Sequence, residues 1–303
     1  MESKKKKPAI INLMGGLGNQ MYQYAFARAL QIKTGREIFF DSSYVTISSL
    51  NVGEKNEAGV SYWGFPLSIF NLDLKFASEK DTKKALKQFK LPFKTKLIDK
   101  FSKKINQYFY DMETEDPQIF NPNIFNSDKT YFSGYFINPR YFSDISDVIR
   151  KDFTFPVPQD EFNQNWLNKI QNSNSVFIHV RRGDFINLGW DLGLDYYKNA
   201  VKYMKEHLEN PKFFVFARES DDYINNEFNI GCDFEFIGNT NEKNNEDWKD
   251  FYLMTQCKNG IMANSTFSFW AAYLCNNKDK IIAGVTNYNN TDFGTWIKVK
   301  SED

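Results

Sequence analysis

The feature that most constrains the fold of this chain is a short apolar run that ends abruptly in charged residues. Residues 175–184 read SVFIHVRRGD, so the apolar side chains give way to an imidazole, two guanidinium groups, a glycine and a carboxylate. A run of this length and character predicts a strand that is buried on both faces. In open α/β sheets, ligands bind beyond the carboxyl ends of the strands, so we expect these charged side chains at a ligand site.

The two guanidinium groups of this run, Arg181 and Arg182, indicate the chemistry of the ligand. Arginine binds phosphate through two charge-assisted hydrogen bonds and stays protonated at every relevant pH. We therefore predict a diphosphate site at the end of this strand. A strand that is followed by a solvated, charged turn explains the same residues equally well.

Strand and helix patterns alternate through the second half of the chain. The strand patterns cover residues 176–180, 213–217, 234–237, 261–263 and 281–283, and helical patterns lie at 196–208, 221–228 and 245–256. Such alternation predicts a parallel, doubly wound sheet whose strand carboxyl ends open on one edge. That edge would gather the two arginines with residues 217–221 and 264–266.

Residues 264–266 are the second candidate for anion binding. Asn264, Ser265 and Thr266 fit a helix N-cap, and a helical pattern starts at Phe267 and continues to residue 274. Hydroxyl groups and free backbone N–H groups at a helix start would face an anion. Ordinary capping also explains Ser265 or Thr266, but the arginine pair on a neighbouring strand end favours a shared diphosphate.

The amino-terminal half begins with a strand, a glycine-rich turn and a helix. A strand pattern over residues 8–14 runs into GGLGNQ at 15–20, and helical spacing follows from Met21 to about residue 31, with Gly35 after it. Glycines at a helix start let an anion approach the backbone N–H groups closely. The amides of Asn19 and Gln20 suit a sugar or phosphate, and capping of the helix is the alternative role.

This turn superficially resembles a dinucleotide fingerprint. Gly16 and Gly18 are followed by a second strand at residues 37–40 that ends in Asp41. The third glycine of the fingerprint is missing, because Met21 stands where the helix needs a small residue for close packing. A nicotinamide-dependent oxidoreductase therefore remains only as a remote alternative.

Length and composition favour two domains without a metal or disulfide framework. The 303 residues suit two domains, and the prolines within residues 152–162 suggest a linker, so we predict domains 1–155 and 156–303. The 38 basic and 38 acidic residues balance, which argues against nucleic acid as a partner. Three cysteines without a Cys-x-x-Cys pair and only two histidines argue against a disulfide framework and a zinc site.

Two segments, one at the amino terminus and one internal, bear on where the protein is located in the cell. Residues 1–7 are polar and lysine-rich with no apolar run of about 18 residues after them, so we expect a cytoplasmic protein. Residues 81–104 combine apolar residues at helical spacing with many lysines. This basic helical insertion is typical of a solvated helix face, and peripheral contact with a membrane-borne glycolipid at the inner face of the membrane is left open.

Three separated motifs together resemble the α-1,2-fucosyltransferase family of bacterial glycan synthesis, glycosyltransferase family 11. They cover residues 15–25, 179–184 and 264–270. The resemblance implies a GT-B fold, with an acceptor-side Rossmann-like domain at 1–155 and a GDP-sugar-binding one at 156–303 that face each other across a cleft. It also implies inverting transfer of fucose from GDP-fucose to the 2-hydroxyl of a galactose-containing glycan in surface polysaccharide or oligosaccharide synthesis, without a metal or other cofactor.

The resemblance also assigns roles to individual residues. Arg181 falls on the arginine that contacts the β-phosphate, and Asn19 falls on an asparagine near the donor. The catalytic candidates are Arg181, Asp184 and His179, although we expect His179 to pack at the strand end, and Asp184 either acts as general base or orients an arginine. The donor-binding candidates are Gly16, Gly18, Asn19, Gln20, Arg181, Arg182, Asn264, Ser265, Thr266 and Phe267, together with Glu219 or Asp221 for the guanine.

Other functions stay open at this point. Within the same class, the donor could be another GDP-sugar, with a different linkage or acceptor. A non-catalytic glycan-binding module would account for the 30 phenylalanines and 16 tyrosines, because aromatic faces stack on sugars. We expect most of these aromatic residues to fill the core.

Overall fold

The chain divides into two compact α/β units. The computed structural model describes residues 7–45, 66–87, 119–182, 185–186, 189–217, 221–238, 246–285 and 295–299. The units are Met1–Thr154 and Phe155–Asp303, so the division falls one residue before the predicted one.

The amino-terminal unit is built on a three-stranded parallel sheet. Its strands are β1 (Ala9–Asn12), β2 (Ile38–Asp41) and β3 (Tyr131–Phe132). They lie in the order β2-β1-β3, so that Ile10 pairs with Phe39 on one side and Tyr131 on the other. A central first strand that is followed by a helix and a parallel neighbour is the basic unit of a Rossmann-like fold.

The first helix begins earlier than predicted. The helices of this unit are α1 (Leu17–Thr34), α2 (Glu79–Lys87) and α3 (Ser146–Asp152), with 3₁₀ turns at Pro66–Ile69, Pro122–Asn126, Pro139–Tyr141 and Ser143–Ile145. The prediction started the helix at Met21, where the helical spacing of apolar residues begins, and glycine costs about 1 kcal/mol relative to alanine inside a helix. Gly18 is buried in α1, so tertiary packing overrides that propensity. The predicted stop at Gly35 is confirmed, since its N–H donates to the Gln31 carbonyl.

Aromatic rings fill the core of this unit. Phe26 of α1 stacks on Phe136 with ring centroids 4.0 Å apart, and it also packs against Phe132 and Tyr141. All four side chains are fully buried. Here the high aromatic content serves packing, as expected.

A buried arginine before β2 holds the segments that lead into β1 and β3. The Arg36 guanidinium donates hydrogen bonds to the carbonyl oxygens of Lys7 at 2.8 Å, Pro8 at 3.1 Å and Ser127 at 3.1 Å, and also to that of Lys129. These carbonyls precede β1 and β3. Because the guanidinium offers five donors in a rigid fork, one side chain can hold several backbone acceptors at once.

The carboxyl-terminal unit contains a six-stranded sheet in which every pairing is parallel. Its strands are β4 (Asn174–Val180), β5 (Pro211–Ala217), β6 (Glu235–Phe236), β7 (Asn259–Ile261), β8 (Ile281–Gly284) and β9 (Thr295–Lys298). The order is β6-β5-β4-β7-β8-β9, so the chain starts centrally, runs outward and then returns to the other side of β4. This is the Rossmann order, with its switch point between β4 and β7. The predicted α/β class with two Rossmann-like units, the composition of a GT-B protein, is confirmed.

One helix of this unit begins inside the segment that was predicted to be a linker. The helices are α4 (Glu161–Gln171), α5 (Leu194–His207), α6 (Asp221–Asn226), α7 (Asp247–Gln256) and α8 (Thr266–Leu274). Helix α4 was not predicted, because the prolines before it suggested a linker over residues 152–162. Asp160 starts this helix by accepting the Asn163 N–H at 3.0 Å. Strand β9 was also missed, and the strand predicted at 261–263 lies at Asn259–Ile261.

Most of the predicted basic insertion lies outside the described residues. Helix α2 covers its start, and residues 88–104 lie outside the described part of the chain. Within the described ranges, no helix is both long and apolar enough to cross a membrane.

Strand β4 is buried on both faces, as its apolar run predicted. From Ser175 to Val180 every residue is buried. Its neighbour β7 approaches closely at Gly260, which pairs with Phe177. A β-carbon at Gly260 would overlap the Phe177 ring, so only glycine allows this approach.

The close approach predicts a specific stability difference between two glycine substitutions. Gly260→Ala should lower the free energy of unfolding by about 1–3 kcal/mol, the usual cost of overpacking a core. Gly284→Ala is the matched control in β8, where the added carbon would meet Met262 at an ordinary 3.5 Å. Urea unfolding of both variants measures the difference, and equal stability would contradict the close approach of β7 to Phe177.

Candidate active site at the switch point

The switch point brings together the two sequence motifs that were predicted to share a diphosphate. β4 ends at Val180, immediately before the arginine pair, and β7 is followed by the loop that leads into α8. His179 Nδ1 is hydrogen-bonded to Ser268 Oγ, and the His179 and Phe267 rings lie 5.4 Å apart. The end of β4 and the first turn of α8 are therefore in direct contact.

Burial keeps the His179 imidazole neutral. Desolvation, with a smaller effect from the nearby Arg181 charge, lowers the pKa of His179 to about 3. Ser268 Oγ also accepts the Ala263 N–H at 3.2 Å, so its own proton can go to His179 Nδ1. A neutral, fixed imidazole suits the packing role expected for His179.

Two tyrosines at the start of α5 hold the backbone on both sides of the switch point. Tyr197 donates to the His179 carbonyl at 3.2 Å, and Tyr196 donates to the Met262 carbonyl at 2.6 Å. Burial raises the pKa of both hydroxyl groups, so they stay protonated and keep donating. The sequence analysis missed these two residues and Ser268, because nothing in the residue pattern separates such supports from ordinary core residues.

The two arginines are partly exposed at the end of β4 and are braced by aromatic rings. The Arg181 guanidinium carbon lies 5.2 Å from the Phe185 ring centroid, and that of Arg182 lies 4.1 Å from the Tyr223 ring centroid. Arg182 Nε also lies 3.6 Å from Asp191 Oδ2. Such contacts restrict long side chains, so less conformational entropy is lost when the guanidinium groups bind an anion.

The start of α8 presents the capping geometry that was predicted. Ser265 is the N-cap and accepts the Phe267 N–H at 3.3 Å. Asn264 and Thr266 are half-buried beside it. The first backbone N–H groups of a helix have no partner within the helix and carry its positive dipole end, which stabilises an anion there.

In the amino-terminal unit, the glycine turn is shaped by Asn19 and Gln20. Gly15 has a φ of +76°, and a β-carbon there would lie 2.5 Å from Asn19 Nδ2, so a larger residue is excluded. Gly16 is the N-cap of α1. Gln20 is fully buried and donates to the Gly15 carbonyl at 2.8 Å, which makes it a support of the turn. Asn19 is half-buried on the turn, so of the two amides it is the one that a ligand can reach.

Gln23 is a further support that the sequence analysis did not single out. Its Oε1 accepts the Met14 N–H at 3.0 Å, while Nε2 donates to the carbonyls of Met14 at 3.3 Å and Gly134 at 3.2 Å. The side chain thus joins the loop after β1 to the loop after β3. The sequence signal for this role was a glutamine among the apolar residues of the helical pattern.

Three predicted residues lie wholly or partly outside the described part of the chain. Asp184 and Glu219 lie outside the described residues, and only the backbone of Asp221 is described. Among the residues that the structure describes, no group of three or more histidine, cysteine, aspartate or glutamate side chains could hold a metal ion.

Asp41, the carboxylate that would contact the ribose in a dinucleotide-binding protein, is hydrogen-bonded within its own unit. Asp41 is buried, with Oδ2 accepting the Tyr131 hydroxyl at 2.8 Å and Oδ1 accepting the Ser43 N–H at 2.9 Å. Both oxygens serve the local structure, so the geometry does not favour a ribose contact.

Comparison with known proteins decides the family. Residues 71–301 match the model of Glycosyl transferase family 11. The chain belongs to glycosyltransferase family 11. The resemblance noted from the three motifs is confirmed, and this member of the family is an enzyme of the glycosyltransferase class.

Two relatives from Escherichia coli match this chain over most of its length. It is 31% identical to an alpha-1,2-colitosyltransferase of Escherichia coli, over 88% of this chain and 87% of that protein. It is 30% identical to the O-antigen biosynthesis glycosyltransferase WbnK of Escherichia coli, over 95% of this chain and 99% of that protein. Among solved structures, the fucosyltransferase NodZ from Bradyrhizobium is similar with a TM-score of 0.47 and 14% identity, over 89% of this chain and 93% of that chain.

The neutral imidazole predicts a pH dependence of stability. The unfolded state binds a proton at His179 below its ordinary pKa of about 6.5, whereas the folded state does so only near pH 3. Stability should therefore fall as the pH is lowered from 6.5. His179→Asn removes this proton, so between pH 7 and 5.5 the wild type should lose about 1 kcal/mol more than the variant. Urea unfolding at both pH values measures this, and parallel losses would mean that His179 protonates equally in both states.

Proposed function

We propose that this protein transfers L-fucose from GDP-fucose to the 2-hydroxyl of a galactose-containing glycan, with inversion and without a metal. The observation that carries the proposal is the contact between the end of β4 and the start of α8. It gathers Arg181, Arg182 and the amino terminus of α8 at the switch point of a Rossmann-order sheet. Membership of glycosyltransferase family 11 supports a sugar nucleotide as the ligand.

The proposed chemistry depends on charge that grows on the leaving group. As the bond between fucose and the β-phosphate oxygen lengthens, negative charge develops on the diphosphate. The Arg181 guanidinium would take most of that charge, assisted by Arg182 and the N–H groups of α8. The aromatic rings that contact both guanidinium groups restrict these side chains, which lowers the reorganisation needed at the moment of reaction.

A general base for the acceptor hydroxyl is a separate part of the proposal. His179 does not suit this role, because its buried imidazole faces Ser268 and has a pKa near 3. Asp184 remains the proposed base, with orientation of an arginine as its alternative role. A good leaving group such as GDP also lowers the demand for a base.

The acceptor and the donor sugar are supported by the relatives. WbnK is named for O-antigen biosynthesis, which favours a surface-polysaccharide glycan as the acceptor, and we propose that the amino-terminal unit binds it. A second donor deserves a test because the relative that is 31% identical over 88% of this chain is an alpha-1,2-colitosyltransferase. Colitose is fucose that lacks the 3-hydroxyl group, so the same phosphate site could serve either donor.

Arginine at position 181 should be essential for turnover. Arg181→Ala removes the main proposed partner of the β-phosphate, so kcat should fall on the order of 100-fold or more. Arg181→Lys should recover only part of this loss, because lysine keeps the charge but cannot bind with a planar fork. Arg140→Ala, which removes an exposed arginine of the other unit, is the control. Near-normal turnover of a folded Arg181→Ala enzyme would remove this residue from the reaction.

One incubation series tests the overall proposal. The enzyme is mixed with GDP-fucose or GDP-colitose and a lactose-type acceptor, and the new linkage is located by NMR. We expect an α-1,2 linkage and unchanged activity in EDTA. A different linkage, or activity that EDTA abolishes and Mg²⁺ restores, would overturn the corresponding part of the proposal.

A further inference from the structure

The loop after β4 carries an exposed tryptophan beside the arginine pair. The Trp190 side chain is 54% exposed. Within the described part of the chain, the other exposed aromatic side chains are Tyr44 and Phe76, both in the amino-terminal unit. Exposing an indole to water forfeits the free energy of burying it, and among the described residues of the carboxyl-terminal unit Trp190 is the one aromatic side chain that is exposed.

Trp190 is held in place by two contacts to its own loop. Its ring meets the Phe185 ring edge-on, with centroids 5.7 Å apart at 88°. Its backbone N–H donates to the Phe185 carbonyl at 2.8 Å. A ring that is braced in this way is pre-organised, so binding does not have to fix it.

The brace connects Trp190 directly to the proposed phosphate site. The Phe185 ring that supports Trp190 on one side lies 5.2 Å from the Arg181 guanidinium carbon. The next residue, Asp191, lies 3.6 Å from Arg182 Nε. An indole face, a carboxylate and two guanidinium groups thus follow one another along this loop.

This combination fits a sugar ring. A pyranose presents an apolar face of C–H bonds that packs on the electron-rich face of an indole, while its hydroxyl groups donate to a nearby carboxylate. We propose that Trp190, braced by Phe185, is a stacking platform for the C–H face of a pyranose that binds next to the diphosphate. This inference rests on the proposed function and adds a residue that governs sugar binding.

The pyranose could belong to the donor or to the acceptor, and kinetics separate the two. Trp190→Ala should raise either the Kd of GDP-fucose or the KM of the acceptor glycan about tenfold, with the Kd of GDP unchanged. Trp190→Phe keeps an aromatic face and should stay within about threefold of wild type. Phe76→Ala, which removes an exposed aromatic ring elsewhere, is the matched control and should change neither constant.

A spectroscopic measurement tests the contact itself. Acrylamide quenching of tryptophan fluorescence should weaken when GDP-fucose or the acceptor saturates the wild type, and this protection should be absent in Trp190→Phe. Protection by GDP alone to the same extent would mean that no sugar ring covers the indole, which would overturn the platform. Wild-type binding constants in Trp190→Ala would also overturn it.

The two proposals fail in different ways. If the wild type transfers sugar normally and Trp190→Ala does the same with unchanged constants, only the platform is wrong. If the wild type neither binds GDP nor transfers any sugar from GDP-fucose or GDP-colitose, the proposed function is wrong and the platform falls with it.

Discussion

The hydrogen bond between His179 and Ser268 joins the end of a buried strand to the first turn of a helix, and the candidate site depends on it. These two elements meet because β4 and β7 are neighbours in the sheet, although His179 and Ser268 are 89 positions apart in the sequence. The contact is made by neutral groups, since burial suppresses protonation of the imidazole. Positive charge at this edge therefore comes from the arginines and the helix dipole, at fixed positions and at any physiological pH.

Much of the carboxyl-terminal fold follows from its sequence, because each buried parallel strand is a short apolar run between helical patterns. The run that ends at Val180 is the clearest example, and its burial on both faces matches the prediction. Helix α4 was missed because its prolines precede the Asp160 cap, where a proline is compatible with a helix that starts just afterwards. The start of α1 was misplaced because Gly18 has poor helix propensity, which packing outweighs.

The residues of the candidate site that follow strand ends could be predicted from the sequence. The buried residues that hold them in place could not. Arg181 and Ser265 could be found from the sequence because each follows an apolar strand pattern, and the carboxyl ends of parallel strands are where ligands bind. Tyr197 and Ser268 do not stand out, since their roles arise only from which buried carbonyl or imidazole faces them. Trp190 also needed the structure, because exposure is what separates it from the many aromatic residues of the core.

The hydrogen bonds of Arg36 bear on how much the length of the amino-terminal unit can vary. One guanidinium binds the backbone just ahead of both β1 and β3, although about 90 residues of sequence lie between Arg36 and Ser127. The closure entropy of a connecting segment grows only logarithmically with its length, roughly 0.6 kcal/mol for each doubling. Because the Arg36 guanidinium holds the start of β3, the length of the intervening polypeptide could change at a small cost in free energy while the three-stranded sheet is kept.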